Sequence, residues 1–110
     1  MRFPGTGIPG FVMELVFAVL ARAEMAEARR YYERQQRGLG HEFVREASLS
    51  AQRILEQPLA WQVEIEPVRR FLFNRFPYKM LYAIRGERIV VLAVAHQHRD
   101  PEYWIERIAP

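Results

Sequence analysis

The sequence contains no cysteine, so neither a disulfide nor a thiolate metal site can hold the fold together. That suits a reducing cytoplasm, where the chain is expected to act. It also lacks any apolar run long enough to span a bilayer. No internal repeat, no phosphate-cradling glycine loop and no Ser-His-Asp arrangement is visible. Histidine is scarce, at three residues. His96 and His98 could share one side of an extended strand, but no third ligand accompanies them, so neither a metal nor a cofactor is expected.

What the chain does have is apolar and aromatic bulk. Half of its 110 residues are hydrophobic, and seven Phe, five Tyr and two Trp supply the packing that cross-links do not. This length fits one small domain. The prolines and glycines of residues 1–12 disfavour regular structure and mark a disordered leader, with residues 13–110 as the single domain. Phe11 to Ala21 imitates a signal peptide, but Glu14 interrupts the apolar run and a charged n-region is missing.

Glu14 to Leu20 reads as a strand. Ala21 to Gln36 is rich in helix formers, with Ala21, Met25, Ala28 and Tyr32 on one stripe. Gly38-Leu39-Gly40 ends that helix, and His41 to Gln57 forms a second, stopped by Pro58. The short linker predicts an antiparallel helical hairpin. Leu59 to Pro67 reads as an acidic, irregular connection. Three strands then follow: Val68 to Phe73, Tyr78 to Ile84, and Ile89 to Ala95, the last two joined through Arg85-Gly86-Glu87-Arg88. Ile89 to Ala95 is apolar at every position, which predicts a central strand covered on both faces.

The fold class is therefore α+β. A β-α-α-β-β-β order predicts a helical hairpin on one face of a four-stranded, mainly antiparallel sheet, with the opposite face open. Residues 1–68 carry eight Arg/Lys against nine Glu, whereas residues 69–110 carry eight against four acidic residues. The surplus positive charge thus sits in the strand half. Arg69, Arg70, Arg75, Lys79, Arg85 and Arg99 are the candidates for gripping an anionic target, either nucleic acid or an acidic protein.

The chain resembles the RelE/ParE superfamily, the toxin components of bacterial type II toxin-antitoxin modules, also described as plasmid stabilisation proteins. The resemblance runs from about Met13 to Trp104. It rests on Tyr31-Tyr32-Glu33, Gly38-Leu39-Gly40 with Phe43, Ile54-Leu55 with Pro58, Val68-Arg69-Arg70, Phe76-Pro77-Tyr78 leading to Tyr82, and His96 to Trp104 (HQHRDPEYW). It implies a cognate antitoxin as partner. Tyr31 and Tyr32 are adjacent on a helix, so one is expected in the core and the other exposed, where it can contact a partner; an exposed sheet edge and an apolar groove awaiting a peptide favour homodimers or toxin-antitoxin hetero-oligomers. It implies one of two targets: DNA gyrase, for a ParE-like member that inhibits growth by binding, or ribosome-bound mRNA, for a RelE-like endoribonuclease. A relative that keeps only the partner-binding fold is a third possibility.

Metal-free RNA cleavage needs a base, an acid and cations around the phosphorane. Lys79, His98, Arg99 and Tyr103 are the residue types that could supply them, with His96 a weaker candidate; by resemblance, Lys79 and Tyr103 stand where nuclease members carry a basic residue and a C-terminal tyrosine, and Arg99 is the basic residue four before Tyr103. Two departures favour the binder. Arg53 to Arg69 brings no further cation but does bring Glu56, Glu64 and Glu66, and Gln97 stands where many nuclease members place an arginine. If the nuclease reading holds, Lys79, His98 and Arg99 must reach one phosphate.

Overall fold

The computed structural model describes residues 2–4 and 13–108. Six strands join in one sheet: β1 (Arg2–Pro4), β2 (Glu14–Phe17), β3 (Val63–Ile65), β4 (Val68–Leu72), β5 (Tyr78–Arg85) and β6 (Arg88–His96). Their spatial order is β1-β2-β6-β5-β4-β3, antiparallel throughout except for the parallel β2–β6 pair. Two helices, α1 (Val19–Gln35) and α2 (Leu39–Glu56), separate β2 from β3, and two 3-10 turns, Pro101–Tyr103 and Ile105–Ile108, follow β6.

Five strands thus lie within residues 13–108, where four were expected. The addition is β3, because Val63-Glu64-Ile65, read as irregular connection, pairs with Val68 and Arg69 across a register shift. Arg2–Pro4 is also paired, from Arg2 opposite Val16 to Pro4 opposite Glu14, where an unstructured leader was expected. Pro4 is tolerated there because an edge strand need not donate on both sides. The remaining leader positions, 1 and 5–12, lie outside the described residues. The first domain strand ends at Phe17 rather than Leu20. Ala18 donates its N–H to the Val91 carbonyl and then accepts from Arg22, so the chain leaves the sheet and enters α1 within one residue.

The helical hairpin forms as its stripes predict. Ala21, Met25 and Ala28 of α1 meet Phe43, Ala47, Ala51 and Ile54 of α2 over the sheet. Tyr32 stacks on Phe43, with ring centroids 5.5 Å apart, and sets its edge against Phe76 at 4.7 Å. The link between the helices turns on Gly38, whose φ of 89° is left-handed. No side chain caps α2 from Gly38. Instead Glu33 reaches forward to accept the N–H groups of Gly38 (3.0 Å) and Gly40 (3.1 Å). The Gly38 N–H is the main cause that holds the Glu33 carboxyl below the usual carboxylate range.

The other face of the sheet is not open, which corrects the expected architecture. Trp104, fully buried, lies with Val68, Leu81, Ala83, Leu92 and Ala93 in a second apolar cluster, flanked by Tyr103 and Ile108. The tail after β6 folds back over this face. A bulge in β6 supports it: Leu81 faces Ala93 and Tyr82 faces Val91, so Leu92 is the extra residue. Leu92 and Ala93 therefore both point to the tail side, while Ile89, Val91 and Val94 point to the helices. That is why Ile89 to Ala95 carries no alternation.

Tyr82 joins the helix-side core to the connection after α2, its hydroxyl donating to the Pro58 carbonyl at 2.7 Å. Burial pushes its pKa up to about 12, against a smaller opposing effect of the Arg69 charge. The folded state therefore favours the protonated phenol. This contribution is complete below pH 10, the ordinary phenol value, and is lost as pH rises towards about 12. Tyr82→Phe is expected to cost about 1 kcal/mol at neutral pH and to flatten the alkaline limb of the stability curve, as measured by urea unfolding across that range.

Candidate functional site

The tail that carries the candidate residues is fixed at its base by Gln97. Its backbone N–H donates to Pro77, and its side-chain amide to the carbonyls of Phe73 (3.3 Å) and Tyr78 (3.2 Å). Gln97 is thus a staple between the tail and the β4–β5 turn. Arg99 then closes a turn onto the His96 carbonyl, and Pro101 opens the 3-10 turn that delivers Trp104.

Lys79 is the pivot of the covered face and is only 4% exposed. Its ammonium donates to Glu64 at 3.0 and 3.2 Å and to the Arg99 carbonyl at 3.3 Å. An ammonium has three protons, and these three acceptors account for them. Arg70 adds a longer contact to the same carboxylate, at 3.4 Å. The expected convergence of Lys79, His98 and Arg99 on one phosphate is not what forms. Arg99 meets Lys79 through its carbonyl, while its guanidinium stacks over the Tyr103 ring at 4.0 Å.

The remaining cations of the strand half are also engaged. Arg69 lies on the helix side, donating to the carbonyls of Leu59 (3.2 Å) and Trp61 (2.6 Å). Arg85 donates to Ile108 at 2.8 Å and so ties down the end of the tail. Arg75 pairs with Glu42 at 3.1 Å on the exposed surface. Its N–H and that of the neighbouring Asn74 are taken up by Glu46. Most of the positive charge counted in this half is thus engaged by carboxylates and carbonyls of the chain itself.

An accessible cleft of about 260 Å³ opens between α1 and the tail, lined by Glu27, Tyr31, Tyr78, His96, Arg99 and Tyr103 among others. It exists because β2 stops opposite Val91, leaving the rest of β6 as an edge. Glu24 and Arg107 close part of that edge. Glu24 accepts the Val94 N–H at 3.0 Å, Arg107 donates to the Leu92 carbonyl at 3.0 Å, and the two side chains join through two bonds of 3.0 Å. Arg107 also lies 4.8 Å from the Tyr103 ring, so guanidinium groups of Arg99 and Arg107 both engage that ring.

The cleft gathers His96, Arg99 and Tyr103 of the candidate catalytic set, but not Lys79 or His98 among its lining residues. His98 is exposed, its ring 5.9 Å from that of His96. Burial, then the nearby Glu27 charge, pushes the Tyr78 phenol above its ordinary value, so it remains a protonated donor rather than a base. Of the expected partner-binding pair, Tyr31 is 48% exposed at the rim, whereas Tyr32 packs into the aromatic core. One cation, one imidazole and three phenols suit recognition better than phosphorane stabilisation, which needs convergent positive charge. Among the described residues, no group of three or more His, Cys, Asp or Glu side chains comes together to hold a metal. Sequence reasoning did not single out Glu24, Glu64 and Arg107 as the partners that organise this region. The Val-Glu-Ile alternation around Glu64 was the available signal.

The family model of the ParE toxin of the type II toxin-antitoxin system, parDE, matches residues 15–101. A chain in a solved structure of the chromosomal ParDE TA system from P. aeruginosa superposes with a TM-score of 0.66 at 18% identity, the match covering 74% of this chain and 92% of that one. At that identity the likeness carries the fold alone. No curated protein matches the chain.

Removing one partner of a buried ion pair strands the other charge. Glu64→Gln is expected to destabilise the protein by about 3 kcal/mol in chemical denaturation, and the Lys79→Met/Glu64→Leu pair to recover most of that loss.

Proposed function

The chain belongs to the ParE toxin family of type II toxin-antitoxin systems, and we propose that it arrests growth by binding DNA gyrase and is neutralised by a cognate antitoxin. The observation that carries the binding reading is the engagement of Lys79. A nuclease of the RelE kind needs that position free to meet a phosphate, and here its three protons go to Glu64 and the Arg99 carbonyl beneath the tail. The cleft beside α1, with Tyr31 at its rim, offers aromatic rings and edge backbone to an antitoxin segment. In this reading the protein works in the cytoplasm, where both partners are found. Among the described residues, no helix is long and apolar enough to cross a membrane.

Induction in bacteria is expected to produce filamentation and a DNA damage response while translation continues, and purified protein is expected to inhibit gyrase supercoiling. His98→Ala combined with Arg99→Ala is expected to leave growth arrest in place. An early translation block that this double substitution abolishes contradicts the proposal and supports the ribonuclease.

A further inference from the structure

Lys79 is the single lysine of the sequence; every other member of its 16 Lys and Arg residues is arginine. A guanidinium stays protonated and is not an acyl acceptor under conditions that acylate lysine. An amine-directed reagent therefore finds one side chain in this sequence, and the fold leaves that side chain only 4% exposed.

An ammonium whose three protons go to Glu64 and the Arg99 carbonyl has no lone pair to attack with. To become a nucleophile it must lose a proton and leave these acceptors. Two elements hold it in place. β3 brings Glu64, and is itself fixed by backbone pairing to β4 and by the contact of Arg70 with the same carboxylate. The tail brings the Arg99 carbonyl. Beyond that point, besides the packing of Trp104, the tail is fastened by two arginine tethers: Arg85 to the Ile108 carbonyl at 2.8 Å, and Arg107 to the Leu92 carbonyl and Glu24 at 3.0 Å. The tail is thus the removable cover.

We propose that Lys79 is a conditional acylation site that latches the tail open, with an acyl phosphate as the donor. When the tail lifts, the deprotonated amine attacks the acyl carbonyl carbon. A C–N bond forms, the C–O bond to phosphate breaks, phosphate departs with the electron pair, and the proton lost from nitrogen goes to water. The amide left behind is neutral and keeps one N–H. It cannot replace the three donors of the ammonium, and closure over it would bury the Glu64 carboxylate, 7% exposed, without its counter-charge. Nor is there space for an acyl group among acceptors that lie 3.0 to 3.3 Å from the nitrogen. Arg99 and Tyr103 supply the tail side of the cleft beside α1, so the latched form also loses that wall. None of this rests on the identity of the target or of the antitoxin.

The test incubates the full chain, in a Trp61→Phe background, with acetyl phosphate, following Lys79 by peptide mass spectrometry and Trp104 by its emission. In the native protein Lys79 is expected to stay unmodified, while the amine introduced by Arg88→Lys, where the side chain is 56% exposed, is acetylated. Arg85→Ala/Arg107→Ala removes the two tethers and leaves Lys79 and Glu64 intact. It is expected to raise the rate at Lys79 by about tenfold or more, since a hydrogen bond to a charged group contributes at least that factor. The acetylated fraction is expected to show red-shifted Trp104 emission with native circular dichroism. Should the double variant not fold, the parent protein in urea below its unfolding transition supplies the loosened state. Native Lys79 reacting as fast as the Arg88→Lys amine, no increase in the loosened protein, or an acetylated form whose emission stays blue-shifted would each overturn the proposal.

Discussion

The ion pair between Lys79 and Glu64, sealed by the Arg99 carbonyl, decides what the second face of the sheet can be. A lysine on the strand beside the central one would ordinarily project its charge into solvent, and a face that displays such charge stays wet. Here β3 brings Glu64 alongside, the ammonium is satisfied in all three directions, and the surface becomes dry enough for Trp104 to close over it. Burial of this pair is not itself a large source of stability, because desolvation consumes most of the Coulombic gain. Its consequence is structural: it converts a would-be binding face into a second core.

The rest of the architecture follows from having two apolar layers on one sheet. The helices cover Ile89, Val91 and Val94, the tail covers Leu92 and Ala93, and the bulge between Leu81 and Tyr82 lets neighbouring β6 residues serve the same side. A six-stranded sheet in so short a chain also has edges to protect. Beyond the end of β2, Glu24 and Arg107 occupy backbone groups of β6 that another strand could otherwise use, and the same arginine holds the tail through Tyr103. The cleft that remains lies where this protection stops.

Much of this was legible in the residues. The stripe of Ala21, Met25 and Ala28, the left-handed Gly38, the hairpin at Gly86 and the buried run of β6 all appear where local chemistry places them. Adjacent Tyr31 and Tyr32 divide between surface and core, as helical geometry demands. The misreadings of charge share one cause. Counting charge along the chain treats Lys79 and Arg85 as a surplus, because the carboxylate and carbonyls that engage them are remote in sequence and meet them only through strand register and tail folding. In sequence Glu64 speaks against a nuclease; in the fold it is the partner of a buried lysine. A three-residue strand such as Val63–Ile65 has too short an alternation to distinguish it from a connection, and a bulge leaves no composition signal at all.

The central claim is that the tail packs Trp104 into a dry second core on the sheet face that also holds the neutralised lysine. Tryptophan emission and acrylamide quenching in a Trp61→Phe background, where Trp104 is the single reporter, test it most directly. The account predicts blue-shifted emission that resists quenching in the native protein and becomes red-shifted and quenchable on unfolding. Red-shifted, freely quenched emission from a protein whose circular dichroism is still native would show the tail undocked and the sheet face open.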